Sequence, residues 1–354
     1  MSIDVELEYY QDRTASPAMG TYRVEAIHRF SEAERGILTD AFTVNISPYR
    51  DYPAFHRAVQ AIVRDRVPGF FREAVAAARS HDVTTRPVLY FKNCPIGLVP
   101  ELDYEDPLTS KYERKKDFVA EVFLSVFAEL YGTAIVTYRS ANRGDMFHDI
   151  HPMKKLAYSI TQKTVNTLHF HRDLPNNLVR PDWVYLLALR NSPRNIVYTP
   201  IVRLKDIFDK LDAATVEVLR RPIFRAPLAV EGSNISHYGL AGAGYTEPAP
   251  LLAEDRGHAS FAFHEGCTQA IDDEGMAAIE VLRGILHREK DNLFLQEGDF
   301  AAICNNTSMH ARHVVKIDDH EAHRHRWLLK TWNVDDLEPH RKHFLKDLVN
   351  TSDQ

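Results

Sequence analysis

The chain has 354 residues and a mass of 40.5 kDa, with 44% hydrophobic and 26% charged residues, a net charge of -6 and a pI near 6.3. These are the proportions of a globular chain long enough for one large domain or two ordinary ones. The acidic balance and the lack of a long basic block weigh against generic binding to nucleic acid or anionic membranes, and no apolar run approaches the roughly 18–20 residues that span a bilayer.

The start, "MSIDVELEYY", is acidic and lacks the basic and apolar regions of a signal peptide. Cys94, Cys267 and Cys304 are odd in number and far apart. That disfavours a disulfide framework or a CxxC zinc site and predicts a reducing cytoplasm, where the sequons at Asn45 and Asn234 have no role. The 18 histidines are many for this length and raise the expectation of a metal site.

In chain order, residues 52–80 have helical apolar spacing interrupted at Pro68. "RPVLYFKNC" (86–94) reads as a buried strand. Residues 115–132 form an amphipathic helix ending at Gly132, where a left-handed cap is easy. "AIVTYRS" (134–140), "VNTLHFH", "WVYLLALR" and "NIVYTPIV" are β-rich stretches punctuated by Pro and Asn. Residues 204–221 are helical, "HASFAFHE" (258–265) is strand-like and 272–289 is a helix. "FLQEGDFAAICNN" carries a turn at Glu297–Asp299, and "RHRWLLKTWNV" closes the set as a strand. Without a repeat or a low-complexity linker, this order predicts one continuous domain, 1–354, mainly β with flanking helices (α+β). A helical elaboration occupies 1–85 and a barrel or sandwich core with inserted helices occupies 86–335. No GxGxxG or GxxxxGK[ST] is present, so a nucleotide-binding fold is not expected.

"TLHFHRDLP" places His169, His171 and Asp173 at alternate positions, and a strand would point all three the same way. The chemistry that suits such a run is an Fe(II) facial triad, two His and one carboxylate, whose local signature is His-x-Asp/Glu at a strand edge. His171–Arg172–Asp173 fits. Three letters alone arise by chance in a chain this rich in His and acids, but two distant elements add to them. "GDFAAICNNTSMHAR" offers His310 as the second histidine, and "RHRWLLKTW" offers Arg326, a rigid fork for the far carboxylate of a dicarboxylate cosubstrate.

With these motifs, together with "RPVLYFKNCPIG", "RGDMFHDIHP" and "LHFHRDLPNNLVRPDWVYLLALRN", the chain resembles the clavaminate synthase-like branch of the TauD/TfdA group of Fe(II)/2-oxoglutarate-dependent oxygenases. It is most like the hydroxylases of free amino acids, arginine and its relatives, in antibiotic pathways. The likeness runs from about residue 86 to 333. It implies a double-stranded β-helix (jelly roll) core, Fe(II) on His171, Asp173 and His310, and 2-oxoglutarate on Arg326 and Thr199. The branch commonly has Glu where this chain has Asp173, a change that bears on substrate contacts more than on metal binding. The carboxylate ligand also argues against halogenation.

The resemblance further implies an enzyme that uses O2 and 2-oxoglutarate to hydroxylate a C–H bond of a free amino acid or related small metabolite. Asn142, Lys330, Glu265 and His169 are its substrate-side candidates, His169 being equally readable as strand packing. The acidic pair that grips guanidinium in the arginine enzymes is not reproduced around "SFAFHEG", so arginine itself is not expected. Desaturation or cyclisation, including on a carrier-bound aminoacyl group, is the alternative outcome, and an inactive metal-binding jelly roll the non-enzymatic one. His148, Asp149 and His151 read as a structural loop beside the pocket, "DDHEAHRHR" as a solvated loop, and Cys304 as a buried core residue rather than a nucleophile.

Overall fold

A computed structural model describes residues 22–159, 161–175, 177–226, 245–255 and 258–353; the acidic start and the sequon at Asn234 lie outside them. Strands β1 (Ala26–Arg29), β2 (Val88–Lys92), β3 (Ala134–Tyr138), β4 (His148–Ile150), β5 (Leu168–His171), β6 (Trp183–Arg190), β7 (Ile196–Arg203) and β8 (Phe224–Arg225) come first. They are followed by β9 (Leu252–Asp255), β10 (His258–Phe261), β11 (Gln269–Ala270), β12 (Asp291–Leu293), β13 (Phe300–Cys304), β14 (Ser308–Lys316), β15 (Trp327–Val334) and β16 (Thr351–Ser352). The larger sheet runs β1-β2-β13-β6-β15-β3-β16, with β4 also on β15; the smaller runs β12-β7-β14-β5. β8 with β11 and β9 with β10 form two short ribbons.

Side-chain alternation stacks these sheets between helices. Along β6, Trp183, Tyr185, Leu187 and Leu189 pack outward with Phe123 and Phe127 of the helix Val119–Tyr131, while Val184, Leu186 and Ala188 face inward. The inner residues meet Ile201 and Leu293 of the smaller sheet. The outer face of that sheet, Phe170, Val202 and Met309, is covered by Leu282, Ile285 and Leu286 of the helix Asp273–Glu289. Both faces of β6 are therefore dry, which is why "WVYLLALR" is almost continuously apolar.

Local chemistry explains the helix boundaries. The helical stretch around Pro68 is two helices, Tyr52–Asp65 and Gly69–Arg79, and Pro68 sits extended (φ -63°, ψ 149°) at the second N-cap. The stretch 204–221 also divides, because Asp212 accepts a hydrogen bond from the Thr215 N–H and starts a new helix at Ala213. "DDHEAHRHR" is not a solvated loop: it holds the helix His320–Arg324, and buried His323 bonds through Nε2 to the carbonyl of Val165. Arg324 lies in that helix and pairs with Glu321, so it does not share a strand face with Arg326, which precedes β15 by one residue. Residues 148–150 form an edge strand rather than a loop. A capping box on Ser31 and Glu34 begins an unforeseen helix, Glu32–Phe42. Among the described residues no helix is long and apolar enough to cross a membrane.

The helix Val119–Tyr131 ends at Gly132 with φ 94°, and a Cβ added there meets nothing within 4 Å. Gly132→Ala therefore tests backbone strain without a steric clash. It should cost about 1–2 kcal/mol, read as a lower denaturant midpoint at unchanged slope.

Candidate metal centre

At one end of the space between the sheets, inward positions change from apolar to polar. The cavity there is lined by Val184 and Leu186 of β6, Leu328 and Lys330 of β15, Thr199 of β7, Leu168 and His171 of β5, and His310 and Arg312 of β14, with Asp173 and Arg326 just outside strands. His171, Asp173 and His310 each place a ligand atom within 4.8 Å of the others, a group with the geometry to hold a metal ion. Asp173 Oδ1 lies 3.2 Å from His171 Nε2 and 3.6 Å from His310 Nε2.

The backbone brings these side chains together by different means. His310 and His171 are cross-strand partners of the β14–β5 pair, so their rings meet at 4.5 Å between centroids. Asp173 lies two residues beyond the end of β5. Its other oxygen, Oδ2, accepts hydrogen bonds from Trp332 Nε1 (2.5 Å) and Lys330 Nζ (3.1 Å), neighbours on one face of β15. Oδ1 is thereby left to face the two imidazoles.

The electrostatics suit a cation. Burial pushes the Asp173 carboxyl upward, but Lys330 and the facing imidazoles of His171 and His310 outweigh it and hold the group well below the usual carboxylate range. Burial, then the neighbouring His171, lowers His310. His171 Nδ1 lies 2.8 Å from the carbonyl of His169, which only accepts, so Nδ1 carries the proton. Nε2 is then the ring nitrogen that faces Asp173 Oδ1 and is placed to meet a cation.

Arg326 is 3% exposed and lines the same cavity. Its Nε has no partner, and its guanidinium pairs with no carboxylate, among the described residues. Burial alone presses its pKa down to about 10. Arg312, also in the cavity, is engaged instead by the carbonyls of Gln162, Thr164 and Asn166.

The remaining sequence candidates divide. Thr199 and Lys330 reach the cavity; Asn142, Glu265 and His169 are not among its lining residues. Alternation fails at His169 because the β14–β5 register shifts between His310 and Arg312. Its side chain is 52% exposed and faces Glu265 at 3.7 Å. Glu265 is turned outward too: its carboxylate accepts from His287 Nε2 (2.6 Å) and from the backbone N–H of Phe170 (3.1 Å). Asn142 is buried at φ 44°, its Nδ2 without a partner among the described residues. Lys330 sits on Asp173 rather than presenting a free ammonium.

The rival motif disperses: His148 packs at a tilt against Trp332, Asp149 takes Lys111 and Trp327, and His151 bonds the carbonyl of Pro152. Cys304 is buried with its thiol pushed up by burial, as expected of a core residue. Sequence reasoning missed Trp332, which shares a strand face with Lys330, and Arg172, whose place inside the motif gave no hint that it is buried and bonded to the carbonyls of Asn305 and Phe261.

No family model matches the sequence. An L-asparagine oxygenase of Streptomyces coelicolor is 23% identical over 194 residues, 55% of this chain and 56% of that protein, so the match spans about half of the relative's length. A structure of asparagine oxygenase with Fe(II), 2S,3S-3-hydroxyasparagine and succinate superimposes with a TM-score of 0.75 at 16% identity, over 93% of this chain and 99% of that one. The non-heme iron oxygenase OrfP with Fe and alpha-ketoglutaric acid does so with a TM-score of 0.73 at 16% identity, over 93% and 100%. The chain has the fold of these iron oxygenases.

Glu265 gives a prediction separate from chemistry at the metal. Burial raises its pKa, but hydrogen bonds from His169 and His287 more than offset this and hold the carboxyl below its ordinary value. Its contribution to stability is thus complete above the unfolded-state value of about 4.3 and is lost as pH falls below it. Glu265→Ala leaves the buried Phe170 N–H without its acceptor and should cost about 1–3 kcal/mol at neutral pH. Glu265→Gln should flatten the acid limb of stability, both measured by chemical denaturation across pH.

Proposed function

We propose that this chain is an Fe(II)/2-oxoglutarate-dependent oxygenase with a single jelly-roll domain, hydroxylating a C–H bond of a free amino acid or related small metabolite. The observation that carries the reading is Arg326: a buried guanidinium without a carboxylate partner among the described residues, lining the cavity that also holds a His–Asp–His group. A buried cation left unpaired is costly, and a cosubstrate with a carboxylate at its far end removes that cost. Iron with 2-oxoglutarate, when bound, supplies the oxidising chemistry for unactivated C–H bonds. The similarity to asparagine oxygenase and OrfP, whose structures contain iron with succinate or alpha-ketoglutaric acid, supports the same cofactors here.

In this reading His171, Asp173 and His310 bind the metal, Lys330 and Trp332 orient Asp173, and Arg326 with Thr199 holds the cosubstrate. Leu168, Leu186 and Leu328 form an apolar wall that limits water. Asp173 is the only carboxylate among the described lining residues, against Arg172, Arg312, Arg326 and Lys330. A cationic side chain therefore has no free anionic partner, and we assign a substrate whose side chain is neutral or acidic. Buried free thiols at Cys94, Cys267 and Cys304 accord with a reducing cytoplasm.

Succinate release from 2-oxoglutarate, screened across amino acids, tests the assignment. Neutral or acidic side chains should stimulate release and arginine should not; arginine as the best substrate would overturn the substrate class. His171→Ala, Asp173→Ala and His310→Ala should each abolish release and stoichiometric iron. Arg326→Lys keeps the charge but loses the fork. It should weaken 2-oxoglutarate by about 1–3 kcal/mol, read as a raised apparent KM with unchanged iron content.

A further inference from the structure

The three residues of the metal centre are unequally supported. His310 has ladder partners on both sides, Ile201 of β7 and His171 of β5. His171 pairs with His310 and bridges to His264. Asp173 lies beyond the end of β5 and has no place in a ladder. The next residue, Leu174, has φ 51°, a left-handed conformation disfavoured for a branched side chain, so this turn does not hold itself.

A side chain takes the place of the missing strand. Asn305 Oδ1 accepts from the backbone N–H of Asp173 at 3.0 Å, and Asn305 Nδ2 donates to the carbonyl of Asp173 at 2.9 Å and to that of Pro181 at 2.8 Å. One amide thus pairs both backbone groups of the carboxylate residue, as a neighbouring strand would. Asn305 is held in turn: its N–H donates to the carbonyl of Asp182 at 2.8 Å, and its own carbonyl accepts from Arg172 Nε at 2.6 Å. It is completely buried and lies in the turn between β13 and β14, the strand that carries His310.

We propose that Asn305 is a positioning residue that fixes Asp173 relative to His310 and so sets the affinity of the centre for a divalent cation. The proposal rests on the assignment of His171, Asp173 and His310 as metal ligands. Asn305 touches neither metal nor substrate; it acts through the backbone of Asp173.

The test is Mn(II) binding to the full chain, followed by electron paramagnetic resonance of the free ion, with thermal unfolding of the metal-free protein in parallel. Asn305→Ala removes the clamp. Asn305→Asp is isosteric, keeps the acceptor for the Asp173 N–H, and turns a carboxylate oxygen toward two carbonyls; it carries the test if the alanine variant does not fold. Asn191→Ala is the control, because Asn191 is a buried amide bonded to the carbonyl of Leu295, away from the cavity lining. Each Asn305 variant should raise the Mn(II) Kd by about tenfold to a hundredfold, the usual effect of removing a group that supports a metal ligand. Asn191→Ala should lower the unfolding midpoint and leave the Kd within about twofold. A folded Asn305 variant with wild-type affinity, or an Asn191→Ala loss as large as the Asn305 loss, overturns the positioning role while leaving the metal site standing. A wild-type chain that binds no Mn(II), or binds it equally well as His310→Ala, overturns the metal site and the positioning role together.

Discussion

The cavity is organised by one buried carboxylate. Asp173 is 5% exposed, and an ionised carboxylate in such a place is costly unless every oxygen is engaged. Trp332 and Lys330 take Oδ2, and the two imidazoles face Oδ1. That division makes one oxygen a structural acceptor and leaves the other turned to the two imidazoles. It also explains why β15, whose inward face is otherwise the apolar Leu328 and Val334, carries a lysine and an indole N–H there: they compensate Asp173. The same demand accounts for the side-chain grip on the segment that leads into it. Arg312 holds the carbonyls of Gln162, Thr164 and Asn166, and Glu265 holds the N–H of Phe170.

The fold makes such a site affordable because it is dry elsewhere. Helices cover the outer faces of both sheets, and the space between the sheets is filled by Val184, Leu186, Ile201, Ile303 and Leu328 up to the point where Thr199, His310 and Arg326 begin. In that low-dielectric setting each charge acts strongly on its neighbours. Arg326, Arg312 and Lys330 then divide the labour by their partners. Lys330 serves a carboxylate and Arg312 serves backbone carbonyls, while Arg326 alone of the three has no acceptor among the described residues.

Much of this was legible in the order of residues. His171, Asp173, His310 and Arg326 could be singled out from residue type and spacing, and Thr199 from the family resemblance, and the structure brings all five to one cavity. The strands β6 and β7 and the helix ends at Gly132 and Pro68 were legible because apolar periodicity and backbone stereochemistry are local properties. The positions of Glu265 and His169 were not. Strand alternation places His169 with His171, but a register shift in the β14–β5 pair breaks it, and registers depend on the partner strand. Helix His320–Arg324 was hidden in a charged run because the buried contact of His323 with Val165 joins residues far apart in the chain.

The sequence by itself determined the residue types of the candidate metal centre, the rigid fork at Arg326, the places where helices stop, and the amphipathic surfaces that must be buried. Each of these follows from the chemistry of a residue and its near neighbours. Only the tertiary structure decided which oxygen of Asp173 faces the imidazoles, that Lys330 serves Asp173, that Glu265 and His169 face away, and that Asn305 replaces a missing strand beside the carboxylate. Those are matters of direction and register. They arise when distant strands pair, and no single segment carries the information, because a hydrogen bond across 132 residues is specified by both of its ends and by everything that packs between them.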